Sequence, residues 1–134
     1  MIFGDRKAIK PHEAHELFWL MFDIEIVPMA TWSFDGAILN ANKAFLEMIG
    51  YTQEEFESKA ISWISLTPKE YLPLDNRCIE ELKGQHVASP YEKEYMRKDG
   101  TRIKARLHNI CHDLGASGKG LVVIVPLDLR DEIL

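Results

Sequence analysis

Trp32-Ser33-Phe34-Asp35-Gly36-Ala37-Ile38-Leu39 near the front of the chain, and Tyr95-Met96-Arg97-Lys98-Asp99-Gly100-Thr101-Arg102-Ile103 near its back, decide the fold. In each, an Asp-Gly pair separates two strand-like runs. That is a strong hairpin signal, because glycine accepts the positive φ of a tight strand reversal. Outward from the first pair, Met29 to Phe34 and Ala37 to Ala41 are expected strands. Outward from the second, the expected strands are Tyr91 to Arg97 and Thr101 to His112. In the last of these Ile103, Ala105, Leu107, Asn109 and Cys111 alternate with Arg102, Lys104, Arg106 and His108, giving one dry face and one wet one. Tyr91 to Arg97 admits either face inward, since Tyr91, Lys93 and Tyr95 compete with Glu92, Glu94 and Met96.

The sequence between the hairpins is helical. Asn42 is an N-cap ahead of the apolar face Ala44, Phe45, Met48 and Ile49, and Gly50 is the stop. Thr52-Gln53-Glu54-Glu55 is a capping box for a short helix containing Phe56, and Ile61 to Leu66 can form one more helical turn. Thr67-Pro68-Lys69-Glu70 reads as a second capping box. Its helix is expected to kink or restart at Pro73 and carries Leu74, Cys78 and Leu82 on one face, with Gly84 as its end. After a turn at Leu114 to Gly120, Leu121-Val-Val-Ile-Val-Pro-Leu127 is apolar on both faces and predicts a central strand covered on both sides. Ahead of everything, residues 11–24 place Ala14, Leu17, Phe18, Met21 and Phe22 on one expected buried stripe, with Trp19 and Leu20 as apolar surplus beyond it. The expected fold is α+β: a five-stranded antiparallel sheet, helices packed on one face, and an N-terminal flanking helix covering the other.

With 134 residues, 46% of them hydrophobic and 28% charged, the chain reads as one globular domain. A net charge of −5 argues against a nucleic-acid surface, which needs clustered Lys and Arg. No apolar run is long enough to span a bilayer, and the N-terminus lacks a secretory signal. Cys78 and Cys111 fall in apolar patterns and read as reduced core residues, so a cytoplasmic setting is expected.

Taken in order and spacing, Asp35-Gly36, Asn40-Ala41-Asn42-Lys43-Ala44-Phe45, Ile49-Gly50-Tyr51-Thr52-Gln53-Glu54-Glu55-Phe56, Trp63 with Leu66-Thr67-Pro68, and Tyr91-Glu92-Lys93-Glu94-Tyr95 with Arg97-Lys98-Asp99-Gly100-Thr101 resemble a PAS domain. The variant is similar to those beside histidine kinases, diguanylate cyclases and other bacterial signalling outputs. The likeness runs from about Trp32 to about Asp128. It implies a flanking helix over residues 1–27, the domain over 28–129 and the start of a linker at 130–134. It further implies a sensory module that dimerises, encloses a pocket for a small ligand, and relays its state to an output domain of the kinase or cyclase type. The pocket would draw on Phe45, Met48, Ile49, Phe56, Trp63, Leu74, Cys78, Leu82, Leu107 and Asn109. The homodimer contact would draw on Leu17, Phe18, Trp19, Leu20, Met21 and Phe22. Signal would leave along Leu121 to Leu127 at Asp128, where Asp128-Leu129-Arg130 keeps the family's acid and has Arg where the family often has Thr. As a piece without an output domain, the chain reads as a fragment or a stand-alone module.

The chemistry-bearing residues point away from catalysis. No cysteine stands in Ile61 to Leu66, where light-sensing flavin relatives carry their reactive thiol. No histidine stands in Tyr71 to Lys83, where haem-binding relatives ligate iron. Neither cofactor is expected. His12 and His15 are one residue short of the i, i+4 zinc pair, and His108 and His112 lie roughly 13 Å apart on a strand. Gly115 to Gly120 lacks the phosphate-loop pattern. No metal, no catalytic residue and no inward-facing acid or base is expected. Asn109 is the one polar residue on its dry face, so it bonds to neighbouring backbone or points at a ligand. The rival to ligand sensing is a structural dimerisation module. A ligand site needs roughly a few hundred Å³, and a filled core has no such room.

Overall fold

The computed structural model describes residues 8–58 and 61–127. The elements are α1 (Pro11–Asp23), β1 (Met29–Ser33), β2 (Ile38–Ala41), α2 (Lys43–Ile49), α3 (Gln53–Ser58), a 3-10 turn at Lys69–Tyr71, α4 (Leu72–Leu82), β3 (Tyr91–Met96), β4 (Arg102–Ile110) and β5 (Lys119–Pro126). All strands pair antiparallel in the order β2-β1-β5-β4-β3, so the last strand is the middle of the sheet.

Both Asp-Gly pairs sit at strand reversals. Gly36 has φ 121° and Gly100 has φ 87°, a region that L side chains rarely adopt. At Gly36 packing adds a second demand: a Cβ there would lie 2.8 Å from Ile64 Cδ1. The Gly36 carbonyl accepts from Trp63 N–H at 3.0 Å, which draws the 61–67 segment onto the hairpin. In the second hairpin the Asp99 carboxylate accepts from the N–H and the hydroxyl of Thr101 and fixes the turn.

The helix starts follow their caps. Asn42 Oδ1 accepts from Phe45 N–H at 2.9 Å, and Gly50 ends α2 in the left-handed region. Thr52 and Glu55 exchange both bonds of the capping box at 3.0 Å. The second expected box does not form. Thr67 donates its hydroxyl to the Trp63 carbonyl at 2.6 Å, and Pro68 caps the 3-10 turn without a side-chain bond. Pro73 then sits within the first turn of α4, where a missing N–H costs nothing.

The core lies between the sheet and α2–α4. Phe45, Ile49, Leu82, Ala105 and Ile124 are almost wholly excluded from water there. β4 alternates as its sequence predicts, with Ile103, Ala105, Leu107 and Asn109 inward. On β3 the open choice falls to Tyr91, Lys93 and Tyr95.

Two expectations are corrected. β5 is central but fully dry on one face only: Val122 and Ile124 are buried, while on the other face Leu121 and Val123 are half-buried and Val125 is exposed, as is Ile110 of β4 opposite Leu121. The flanking helix α1 does not bury its stripe, for Phe22 is its one buried residue. Its aromatic rings pack on one another instead, Phe18–Trp19 at 5.1 Å and Trp19–Phe22 at 5.5 Å between centroids. Leu17, Leu20, Met21 and, just past the helix end, Ile24 are left 45–64% exposed.

Candidate functional site

Behind the sheet the core is interrupted by one polar seam, where β3 meets α4 and the 61–67 turn. Strand alternation turns Lys93 inward with Tyr91 and Tyr95. Helix periodicity turns Asp75 inward, because Asp75, Cys78, Ile79 and Leu82 follow i, i+3, i+4, i+7 spacing. Lys93 is 2% exposed and Asp75 5%. Lys93 Nζ lies 3.0 Å from Asp75 Oδ2 and donates to Thr67 Oγ1 at 2.7 Å. Thr67 passes its own hydroxyl proton to the Trp63 carbonyl, so its oxygen is free to accept from lysine. Tyr91 donates its phenol to Asp75 Oδ1 at 2.6 Å. Lys93 Nζ also stands 4.5 Å from the centre of the Tyr95 ring.

Burial sets the electrostatics of the seam. It pulls the Lys93 ammonium below its ordinary pKa, while Asp75 works against that shift. It raises the Tyr91 and Tyr95 phenols and pushes the Cys78 thiol up to about 12. Cys78 is thus a thiol without thiolate character at neutral pH, and Cys111 is buried with its Sγ 3.3 Å from the Leu82 carbonyl.

The seam borders a cavity of about 30 Å³, walled chiefly by Trp32, Phe45, Trp63, Tyr95, Leu107 and Asn109, with Asp75, Tyr91 and Lys93 on its polar side. Trp32 and Trp63 meet edge to face, 5.8 Å between centroids. Each indole N–H is satisfied, Trp63 by the Ser33 carbonyl at 2.8 Å and Trp32 by Asn109 Oδ1 at 3.1 Å. Of the expected pocket residues, Phe45, Trp63, Leu107 and Asn109 reach the cavity. Met48, Ile49, Cys78 and Leu82 are core residues away from its wall. Phe56 and Leu74 are half-buried, Phe56 packing on the margin of the core. Asp128 and Arg130 lie outside the described residues.

The expectation that no acid or base faces inward is overturned by Asp75 and Lys93. The signal for Asp75 was present, an acidic residue in register with Cys78, Ile79 and Leu82. Without it, nothing in β3 selected Lys93. On α1, His15 accepts from the Trp19 indole at 3.2 Å across one helical turn. Among the described residues no helix is long and apolar enough to cross a membrane.

The PAS domain family model matches residues 27–125. The chain is 35% identical over 88 residues to the hybrid signal transduction protein dokA of Dictyostelium discoideum, covering 66% of this chain and 5% of dokA. It is 30% identical over 105 residues to the probable diguanylate cyclase DgcE of Escherichia coli (strain K12), covering 78% of this chain and 9% of DgcE. The chain therefore spans less than a tenth of either relative's length. The PAS domain of an HTR-like protein from Haloarcula marismortui has the same fold, with TM-score 0.67 at 17% identity, over 87% of this chain and 93% of that one.

Proposed function

Since the chain belongs to the PAS domain family, as the match over residues 27–125 shows, we propose that it is the interaction and relay module of a larger signal-transduction protein, receiving its signal through contacts of its exterior rather than from a bulky ligand. The observation that carries this reading is the size of the interior, about 30 Å³. Ordinary ligand sites hold roughly 300–1,000 Å³. A fused-ring or macrocyclic cofactor would have to displace the two tryptophans and Phe45.

The exterior supplies the contact. Leu17, Leu20 and Met21 form an i, i+3, i+4 aliphatic stripe on α1, continued by Ile24, and all four are exposed. At about 100° per residue, Leu17 and Leu20 lie nearly opposite Phe22, the residue through which the helix is buried, and Met21 lies at the margin of that side. An uncharged stripe of this spacing suits pairing with the same stripe on a second copy, in the two-fold arrangement commonest among oligomers. An output domain of the histidine-kinase or diguanylate-cyclase type would then be read through a shift between two dimer arrangements.

Native mass spectrometry of freshly purified protein tests both parts at once. The expected spectrum is a dimer without a metabolite-sized adduct, and Leu17→Glu/Leu20→Glu is expected to give a monomer. A retained adduct would overturn the filled interior; a wild-type monomer at high micromolar concentration would overturn the α1 contact. A second reading, sensing of a very small molecule, is favoured by the polar seam on the cavity wall.

A further inference from the structure

One side chain joins three elements just past the flanking helix. Asn42 is 3% exposed. Its Oδ1 accepts from Phe45 N–H at 2.9 Å, which caps α2, and from Met29 N–H at 3.0 Å, where β1 begins. Two donors on one atom fix the amide with its oxygen toward them and its NH₂ group the other way. That Nδ2 donates to the Val27 carbonyl at 2.7 Å, in the segment that leaves α1. A cap needs only an oxygen, and Asp serves a helix start as well as Asn. The bond to Val27 is therefore surplus to capping, and an ionised Asp would cap α2 without supplying it.

The segment that Asn42 grips is stiff. The Pro28 ring fixes its own φ and confines Val27 before it to extended backbone. The segment is held on two sides: the Met29 carbonyl accepts from Asn42 N–H at 3.0 Å, and the Pro28 carbonyl accepts from Ile124 N–H of β5 at 2.9 Å. A displacement of α1 that enters at Val27 is thus passed on instead of being absorbed. It divides there, to β5 through Pro28 and to α2 through Asn42. The other link between this segment and α2, Glu25 with Lys43 at 2.8 Å, joins side chains that are 58% and 62% exposed and adds little. Beyond the cap, α2 carries Phe45 into edge contact with Tyr95, 6.0 Å between centroids, and the Lys93 ammonium stands 4.5 Å from that same ring.

We infer that Asn42 is a latch coupling the flanking helix to α2: through its Nδ2 bond to Val27, movement of α1 is delivered to the α2 cap and from there to the ring stack at the seam. Its use in signalling rests on the relay role proposed above, but the coupling itself holds whether or not α1 pairs with a second copy.

Phe22→Ala is the probe, because it removes the one side chain through which α1 is buried and leaves the exposed stripe intact. In ¹H–¹⁵N spectra of the labelled protein it is expected to shift the Asn42 side-chain amide, the Phe45 and Leu46 backbone amides, and the Ile124 amide. In an Asn42→Asp background the same substitution is expected to move Phe45 and Leu46 at least about threefold less, with Ile124 moving as before. Lys43→Ala is expected to leave the α2 response unchanged. The inference is overturned if Phe22→Ala moves neither the Asn42 side-chain amide nor Phe45 in a folded protein, if Phe45 moves as far in the Asn42→Asp background as without it, or if Lys43→Ala abolishes the response. Should Asn42→Asp not fold, the response of the Asn42 side-chain amide to Phe22→Ala alone decides. Failure of the α1 contact would instead appear as a monomer in the mass spectrum and leave these shifts in place.

Discussion

Two regions of this molecule invert the usual distribution of side chains, in opposite directions. At the β3–α4 seam a lysine and an aspartate are shut inside. On α1 a leucine-rich stripe is left outside. The seam's anomaly is answered within the chain: every charged atom there meets a partner, so the seam ties strand, helix and turn into one geometry. The anomaly on α1 has no answer within the described residues and is an invitation to another surface. Buried charge thus specifies how this domain is put together, and exposed apolar surface specifies what it meets.

The strongest way to break that contrast is to cut the seam. Lys93→Met leaves Asp75 without its cation and is expected to cost about 3–5 kcal/mol, read as a lowered urea midpoint. Lys93→Met with Asp75→Leu is expected to recover most of the loss, because an apolar pair of similar volume replaces an ion pair with little penalty. Failure of the double variant to recover would show that the seam acts through something other than the pair. Tyr91→Phe removes one hydrogen bond to the carboxylate and is expected to cost about 1–3 kcal/mol by the same measurement.

On α1 the expectation reverses. Leu20→Glu should change thermal stability of the isolated domain by no more than about 0.5 kcal/mol, as for an exposed site, while weakening self-association in sedimentation. A large loss of fold stability would mean that the stripe packs on its own chain. The smallest effect belongs to the surface pair of Glu55 and Lys98. The Lys98 ammonium, helped by the Thr52 N–H, holds the Glu55 carboxyl at about 2 against an ordinary 4.5. Its contribution is complete above pH 4.5 and fades as pH falls toward 2. The difference in urea midpoint between wild type and Glu55→Gln should accordingly shrink from pH 6 to pH 2.5.

Legibility in the sequence tracked how locally each feature is determined. The hairpins, the Asn42 and Thr52 caps and the dry face of β4 were readable because a turn, a cap or a period of two is settled within a few residues. β3 was not, since Tyr, Lys and Tyr on one face and Glu, Glu and Met on the other are nearly matched in hydropathy. What tips the balance is Asp75, on another element and 18 residues away. The Thr67 box failed for a similar reason, its hydroxyl being claimed by Trp63 and Lys93. Periodicity located the apolar residues of α1 but said nothing of what covers them. Asn109 is legible as a dry-face amide from the alternation of β4, yet its partner is a side chain 77 residues earlier, beyond any local rule.

The pairing of the first strand with the last has a mechanical consequence. Met29 faces Val123, and Ile124 N–H donates to the Pro28 carbonyl, so the chain enters at Pro28 and leaves at Leu127 on the same end of one antiparallel ladder. Tension between those two points loads the ladder's rungs one at a time, as a zipper is opened, instead of all together. Tethers at residues 28 and 127 in an optical trap should peel β1 away at low force. A tug or twist on either flank is thereby delivered straight to the middle of the sheet.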